Sequence, residues 1–333
     1  MRGFLRQTAR SSERGFVIVA VLWILVALSA LATIFSIYLS KSARVLGAND
    51  IGIQVEALSS ASLELAAYKL LSADEKERPA QGSLRFRMDD ADVFVTFTSE
   101  AARLDLNKAP KEMLANLFEV LGAEQKAAGD IAARIDGWRT QPKTNTADTN
   151  TANTNAANTN ANTGANTNAV DEAALYLAAG LVYGPRQAPF AHVNELSLVL
   201  GISPAMVERA LPYLTVYSKS ADIDVLLAAP EVVAALPGMT PEALNDFLKQ
   251  RPSLPRDQKA VAAALGPVKA ATLPDAKAFR VLTTMRFDNG RRSSTEAVIS
   301  LSHDKDKDKE PYSVLSWQDQ AEIGDRPVRR AGR

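Results

Sequence analysis

Side chains that commonly carry out catalysis are scarce in this chain of 333 residues. The chain has no Cys, which excludes a thiol nucleophile, a thiolate metal site and a disulfide framework. Only His192 and His303 could serve as the general base of a hydrolase. His192 lies just before a predicted helix start, where a capping or interface role is expected. There is neither a phosphate-binding loop nor a dinucleotide-binding Gly pattern, so the sequence predicts a protein that is not an enzyme and needs no organic cofactor.

Two runs of biased composition resemble binding sites at first sight. Residues 304–308 alternate Asp with Lys, but the run lacks the Gly and the closing Glu that a calcium loop requires. Residues 143–169 consist mainly of Asn, Thr and Ala and show no apolar periodicity. Such a segment buries too little apolar surface to offset the entropy lost on ordering. We expect a solvated linker at the first run and a disordered loop at the second.

The N-terminal region has the features of a membrane anchor. Residues 16–40 form a run of 25 residues without a charge, which as a helix would span roughly 38 Å and cross the bilayer core. The preceding segment carries four Arg and one Glu, which favours a cytoplasmic N-terminus. A cleaved secretory signal peptide is the alternative, but its apolar region is shorter and ends in a small-residue cleavage site. Here the small residue, Gly15, precedes the apolar run.

The remaining pattern predicts an α+β fold. Apolar residues at three- to four-residue steps extend the helix to about Leu71. Two β-hairpins follow from alternating apolar residues around short turns, one over residues 84–97 and the other over residues 279–301. Residues 103–277 lie between the hairpins and read as short helices punctuated by Pro and Gly. We expect a small antiparallel sheet interrupted by a large α-helical insertion.

The insertion contains two similar segments, which indicates an internal duplication. Residues 104–110 and 223–230 each place an Asp and a short apolar turn before Ala-Pro and a helix; in the first, Asn107 is the expected helix cap. The turns resemble helix-hairpin-helix modules, some of which bind DNA. However, residues 103–139 carry six basic and six acidic side chains, and residues 192–259 carry six and eight. Without a basic excess, no nucleic-acid partner is expected.

The sequence resembles a known family, type II secretion protein K, whose members are minor pseudopilins. The resemblance covers residues 14 to about 301 and rests on six spaced blocks: Gly15-Phe16, Arg103-Leu104-Asp105-Leu106-Asn107-x-Ala109-Pro110, Ile135-Asp136-x-Trp138-Arg139, Tyr183-Gly184-Pro185-Arg186-x-Ala188-Pro189-Phe190, Glu195-Leu196-x-x-Val199-Leu200-Gly201 and Leu211-Pro212-Tyr213-Leu214-Thr215-Val216-Tyr217. It implies cleavage by a prepilin peptidase after Gly15 and methylation of Phe16. It also implies a position at the pseudopilus tip, because Ala20 stands where most pseudopilins have a Glu.

The resemblance also raises the question of a metal. Family members usually carry an acid-rich loop that can hold calcium, and Asp136, Asp171 and Glu172 are the acids left to form a weak site here. Three other expected acids are replaced by Arg139, Gln141 and Lys143. Calcium takes six to eight oxygen ligands, so a solvated loop is the preferred interpretation and a calcium site is the alternative.

The sequence also predicts a domain organisation, and the resemblance implies a set of partners. The predicted order is a leader (1–15), a transmembrane helix (16–40), a helix with the first hairpin (41–102), the insertion (103–277), the second hairpin (278–302) and a tail (303–333). The implied partners are the I- and J-type minor pseudopilins, the major pseudopilin, the prepilin peptidase and the inner-membrane secretion platform. The bulk of the chain is expected in the periplasm, anchored once in the inner membrane. The alternative function is that of an anchored periplasmic binding protein without a pilus role.

Overall fold

The computed structural model describes residues 13–74, 77–141, 168–266, 268, 271–274, 277–301 and 310–320. The run at 304–308 and nearly all of the predicted loop at 143–169 lie outside these residues. The chain divides into two compact units, Met1–Ala61 and Ser62–Arg333. The longest element is helix α1, Glu13–Leu71.

After α1, the chain forms two strands of a sheet, then a set of short helices with short strand pairs, then three further strands of the sheet. In chain order they are β1 (Gln81–Met88), β2 (Ala91–Ser99), β3 (Leu104–Asp105), α2 (Lys111–Val120), α3 (Gln125–Arg139), α4 (Asn168–Ala178), α5 (Pro204–Ala210), β4 (Leu214–Thr215), β5 (Ile223–Asp224), α6 (Pro230–Ala234), α7 (Pro241–Gln250), α8 (Gln258–Leu265), β6 (Ala271–Thr272), β7 (Ala278–Phe287), β8 (Arg292–Leu301) and β9 (Tyr312–Gln320). Short 3-10 turns are present at Glu100–Ala102, Val193–Leu198, Leu211–Tyr213 and Arg251–Ser253.

A five-stranded antiparallel sheet, formed from both ends of the second unit, is one of its two parts. Its strand order is β1-β2-β7-β8-β9, so β2 pairs directly with β7 although the helical insertion separates them in the chain. Phe97 lies opposite Val281, and the Phe97 ring meets Phe279 edge-to-face at 6.3 Å. On α1, apolar residues at helical spacing are buried, among them Leu63, Ala66 and Leu70. Both predicted hairpins and the end of the long helix at Leu71 are confirmed.

The fifth strand, β9, was not predicted from the sequence. It pairs with β8 and occupies the sheet edge within a region that the sequence indicated only as a tail. Its residues Ser316 to Gln320 are mostly polar, so alternation of apolar and polar side chains is weak there. An edge strand with little apolar content gives a weak period-two pattern.

The insertion has a second core that is built from its two similar segments. β3 pairs in parallel with β4, and β5 pairs in parallel with β6. The first repeat therefore runs from β3 to β4 and the second from β5 to β6, each closing a set of helices with a two-residue strand pair. The largest fully buried side chains of the insertion include Phe118, Tyr176 and Phe247.

The two repeats use the same backbone hydrogen bonds. Asp105 accepts from the Asn107 amide through Oδ1 at 2.8 Å, and Asp224 accepts from Leu226 in the same way at 3.1 Å. The carbonyl oxygens of both Asp residues also accept the amides three and four residues further on. These bonds turn the chain from each short strand towards its helix, as an Asx-turn does.

An Arg at the C-terminal end of each helix pair also has an equivalent role. Arg139 donates to the Ala109 carbonyl at 2.9 Å, and Arg251 donates to the Ala228 carbonyl at 2.7 Å. The predicted role of Asn107 is wrong. Its side chain makes no cap for α2, whose N-cap is Pro110; instead it pairs with the backbone of Phe190, 83 residues further along the chain.

Candidate functional site

The apolar N-terminal segment provides one candidate site. Among the described residues, one helical stretch is long and apolar enough to cross a membrane, Ile18–Tyr38. Its polar side chain Thr33 donates to the Ser29 carbonyl at 2.8 Å, so this hydroxyl needs no partner outside the helix. Gly15 and Phe16 lie in the first turns of α1, and Ala20 lies one to two turns further along.

A second candidate site is the cluster in which the sequence blocks of the insertion meet. The Trp138 ring stacks on Phe190 at 6.0 Å and lies 6.1 Å from Tyr176. Phe190 is fixed by Asn107, whose Oδ1 accepts from the Phe190 amide at 2.7 Å. Tyr176 is fully buried, and its hydroxyl accepts from the Leu200 amide at 3.0 Å. Burial raises the pKa of the Tyr176 phenol, with the Leu200 hydrogen bond acting in the opposite direction.

An ion pair joins the two ends of the loop of residues 186–195, which contains Phe190. Arg186 donates to Glu195, whose Oε1 also accepts from the Ala191 amide at 3.0 Å. Burial raises the pKa of the Glu195 carboxyl, but the hydrogen bonds from Arg186 and Ala191 outweigh it and leave the pKa below its ordinary value. The conformation of residues 186–195 is therefore held by contacts within the chain. The geometry suits a rigid surface and offers no activated nucleophile.

Two of the three acids of the predicted calcium site are among the described side chains, and both are ion-paired. Asp136 pairs with Arg139 at 2.9 Å, and Glu172 pairs with Arg134 at 2.7 Å. Glu172 is 6% exposed, and its Oε1 is buried without a hydrogen-bond partner. The side chain of Asp171 lies outside the described ones.

This donor set does not fit a calcium ion. Within the described part of the chain, no three His, Asp or Glu side chains gather as a metal site. The described carboxylates of Asp136 and Glu172 fall short of the six to eight oxygen ligands that calcium takes. Two of the candidate carboxylates already have a guanidinium partner. Calcium binding thus stays a prediction from the sequence.

A charged network links the sheet to the insertion, and sequence reasoning missed it. Glu100, 1% exposed, accepts from Arg280 Nε at 2.7 Å and from Arg280 Nη2 at 3.1 Å. It also accepts from the Thr215 hydroxyl, while Arg280 donates a further bond to Glu296. The network therefore joins β7 and β8 of the sheet to β4 of the insertion.

The charges in this network affect one another. Burial lowers the pKa of the Arg280 guanidinium, but Glu100 and Glu296 outweigh that effect and raise it. Burial, followed by the positive charge of Arg280, lowers the pKa of Arg103. No local sequence pattern indicated these partners, because they are 16 to 180 residues apart in the chain.

Two comparisons of the sequence with known proteins find the same family description. A family model described as type II secretion system protein K matches residues 145–219. The type II secretion system protein K of Klebsiella pneumoniae is 24% identical over 208 residues, covering 55% of this chain and 56% of that protein. Both sequence comparisons thus find this chain similar to type II secretion protein K. It spans about half the length of this Klebsiella relative in the alignment.

A solved structure supports the fold of the family. One chain in the crystal structure of the GspK-GspI-GspJ complex from the enterotoxigenic Escherichia coli type 2 secretion system superposes with a TM-score of 0.52. The match covers 80% of this chain and 96% of the other, at 15% identity. At this identity the match bears on the fold, and the predicted α+β architecture is confirmed.

Proposed function

We propose that this chain is a non-catalytic minor pseudopilin of the type II secretion system, of the protein K type, placed at the pseudopilus tip. The observation that carries the proposal is the combination of a membrane-length apolar helix with a sheet interrupted by a large helical insertion. In this position the protein takes part in the export of folded proteins across the outer membrane. Its I- and J-type minor pseudopilin partners and the major pseudopilin assemble with it.

The tip assignment depends on Ala20 and on the bulk of the insertion. The resemblance to pseudopilins implies that a mature Glu at this position offsets the N-terminal amine of the adjoining subunit, because an unpaired charge is costly in a membrane. Ala20 has no carboxylate to offer. A subunit of this kind enters only where none precedes it. The insertion, with its own core from β3 to β6, would also obstruct a subunit stacked above it.

The proposed location follows from the N-terminal segment. The prepilin peptidase cleaves after Gly15 on the cytoplasmic side, and the mature chain begins with a methylated Phe16. The chain then crosses the inner membrane once, through the segment that contains Ile18–Tyr38. The unit after it resides in the periplasm, where the secretion platform at the inner membrane delivers it to the pseudopilus.

Processing is tested by mass spectrometry of the chain purified from a strain that has the prepilin peptidase. We expect a methylated N-terminus at Phe16 in the wild type and an unprocessed precursor in Gly15→Val. The matched control, Gly3→Val, makes the same substitution elsewhere in the leader and should be processed normally. An intact Met1 in the wild type would instead support an anchored periplasmic binding protein without a pilus role.

The tip position is tested by labelling the periplasmic unit and imaging pseudopili made by overexpressing the major subunit. We expect label at one end of each fibre. Ala20→Glu should allow some label along the shaft, limited by the obstruction from the insertion. Ala27→Glu, on the same helix but away from the position of the mature Glu, is the control. Uniform label along wild-type fibres would refute the tip assignment.

A further inference from the structure

The two faces of the five-stranded sheet have different neighbours. On one face, Phe97 of β2 is buried, and Lys69 Nζ of α1 lies 5.7 Å from the centre of its ring. Side chains alternate between the faces along a strand, so the even-numbered residues of β2 and their partners on β7 form the other face. The helical insertion contacts one end of that second face, because Arg280 of β7 binds Glu100, which also accepts from Thr215.

The opposite end of the second face carries four exposed Arg side chains. Arg87 of β1 lies opposite Asp92 of β2. Across the same row, Asp92 lies opposite Arg286 of β7, and Arg286 lies opposite Arg292 of β8. Arg85 is two residues along β1 from Arg87 and points to the same face. Opposite residues have Cβ atoms about 5 Å apart, so the four guanidinium groups belong to one surface.

The acids at this end of the sheet face the Arg residues of β1. Asp92 lies 3.6 Å from Arg87 and 3.8 Å from Arg85. Asp288, in the turn after β7, accepts from Arg87 at 2.6 Å. The other two acids, at positions 89 and 90, lie in the turn between β1 and β2, beyond the row. The negative charge on this face therefore balances the charge of β1.

On β7 and β8, by contrast, two positive charges lie opposite each other. Arg286 forms no ion pair with any residue that the structure describes, and its direct neighbour across the strands is Arg292. Like charges in this arrangement destabilise a sheet. A carboxylate from another molecule would lie beside two guanidinium groups and offset their repulsion.

An aromatic side chain lies beside the Arg row. Phe94 is 48% exposed, and it lies opposite Arg85 on β1 and Thr284 on β7. Arg and aromatic side chains are the types enriched at the centres of protein–protein interfaces. The combination favours a partner that has apolar side chains as well as carboxylates.

Asp92 distinguishes between classes of anionic partner. Its carboxylate lies within the Arg row and would repel a polyanion of dense, uniform charge, such as a nucleic acid or an anionic membrane surface. A polypeptide can place a neutral side chain against Asp92 and carboxylates against the Arg residues around it. The charge pattern therefore favours an acidic polypeptide.

We propose that the surface formed by Arg85, Arg87, Phe94, Arg286 and Arg292, hereafter the arginine face, binds an acidic segment of another protein. A carboxylate of this segment lies beside Arg286 and Arg292, and an apolar side chain packs on Phe94. The proposal is independent of the tip assignment, because it depends only on the register of the sheet and the charges on one of its faces.

Fluorescence anisotropy tests the arginine face in the full chain, kept in a neutral detergent. The probe is a short dye-labelled peptide of Glu, Leu and Ser, and the control peptide has Gln in place of each Glu. We expect the Glu peptide to bind the wild type and the Gln peptide to bind at least about tenfold more weakly, because the charge attraction is lost. Binding of the Glu peptide should weaken as salt is raised from about 0.05 to 0.5 M, since the charges are exposed.

Substitutions locate the binding on the sheet. Arg286→Glu should weaken binding of the Glu peptide by at least about tenfold, and Phe94→Ser should weaken it several-fold. The control, Lys259→Glu, makes the same change of charge on an exposed residue of α8 and should bind within about twofold of the wild type. Near-ultraviolet circular dichroism checks that each variant is folded, and the comparison of the two peptides needs no substitution.

Three results would overturn the proposal. The first is equal binding of the Glu and Gln peptides by the wild type, or no binding of either. The second is an equal affinity of Arg286→Glu and Lys259→Glu for the Glu peptide. The third is tighter binding of inorganic polyphosphate than of the Glu peptide, which would show that the arginine face recognises dense anionic charge and not an acidic polypeptide.

Discussion

Replacing Arg280 with Leu should destabilise the protein strongly. The substitution leaves Glu100, which is 1% exposed, without the two hydrogen bonds that Arg280 donates at 2.7 and 3.1 Å. Removing one partner of a buried ion pair costs about 3–5 kcal/mol, because the remaining charge stays desolvated. At about 2–4 °C per kcal/mol for a domain of this size class, the melting temperature should fall by about 6–20 °C.

The measurement is a thermal melt of the full chain in a mild detergent, with near-ultraviolet circular dichroism as the signal. Arg286→Leu is the matched control, since Arg286 lies on the same strand and is exposed. Exposed substitutions of this kind usually change stability by less than about 0.5 kcal/mol. The comparison therefore separates loss of the buried pair from loss of a positive charge on β7.

A double variant tests the reason given for the destabilisation. Adding Glu100→Gln to Arg280→Leu removes the uncompensated charge while leaving an acceptor for the Thr215 hydroxyl. The double variant should regain about 0.5–3 kcal/mol, the coupling energy usual for side chains in contact. If Arg280→Leu melts within about 2 °C of Arg286→Leu, the network contributes little and the reasoning fails.

Three further outcomes are expected. Gly137→Ala should cost about 1–3 kcal/mol, because its Cβ would meet Glu172 Cγ at 2.9 Å, whereas Gly129→Ala on the same helix meets nothing within 4 Å and should melt no lower than wild type. Burial and the hydrogen bond to Glu64 raise the pKa of Tyr312 to about 12, so the stability from this phenol is complete below about pH 10 and lost as pH rises through 12. Glu64→Gln should lower that pKa, measured by tyrosinate absorbance. Millimolar calcium should leave the melting temperature unchanged, since two candidate carboxylates already face a guanidinium; a rise of several degrees would show that a site exists.

Local patterns were sufficient for the elements with a strong period. The apolar run and its continuation predicted α1, because helical spacing of apolar residues reflects a face that must be buried. Both central hairpins followed from alternation around a turn. The repeated Asp before Ala-Pro predicted a duplication, and the structure shows why the Asp is needed: Asp105 and Asp224 accept the same backbone amides.

Contacts between distant residues could not be predicted in this way. Asn107 has the residue type and position of a helix cap, yet it binds the backbone of Phe190, which is 83 residues away. A local motif indicates only hydrogen-bond partners within a few residues. The donor and the acceptor of an Asn side chain can instead bond to backbone groups far away in the chain. Likewise, apolar and polar side chains alternate only weakly in β9. Its place in the sheet comes from its pairing with β8, which its own sequence does not indicate.

The sequence by itself determined the membrane-length helix and the α+β class, since each depends on composition or on a period that one segment carries alone. Only the tertiary structure decided which charges are neutralised. Glu100 and Arg280 are 180 residues apart, and folding brings them together by pairing β2 with β7 across the whole insertion. Glu172 likewise faces Arg134, which is 38 residues away in the chain. The electrostatic environment of a carboxylate depends on the distance to its neighbours in space, which the order of residues does not specify.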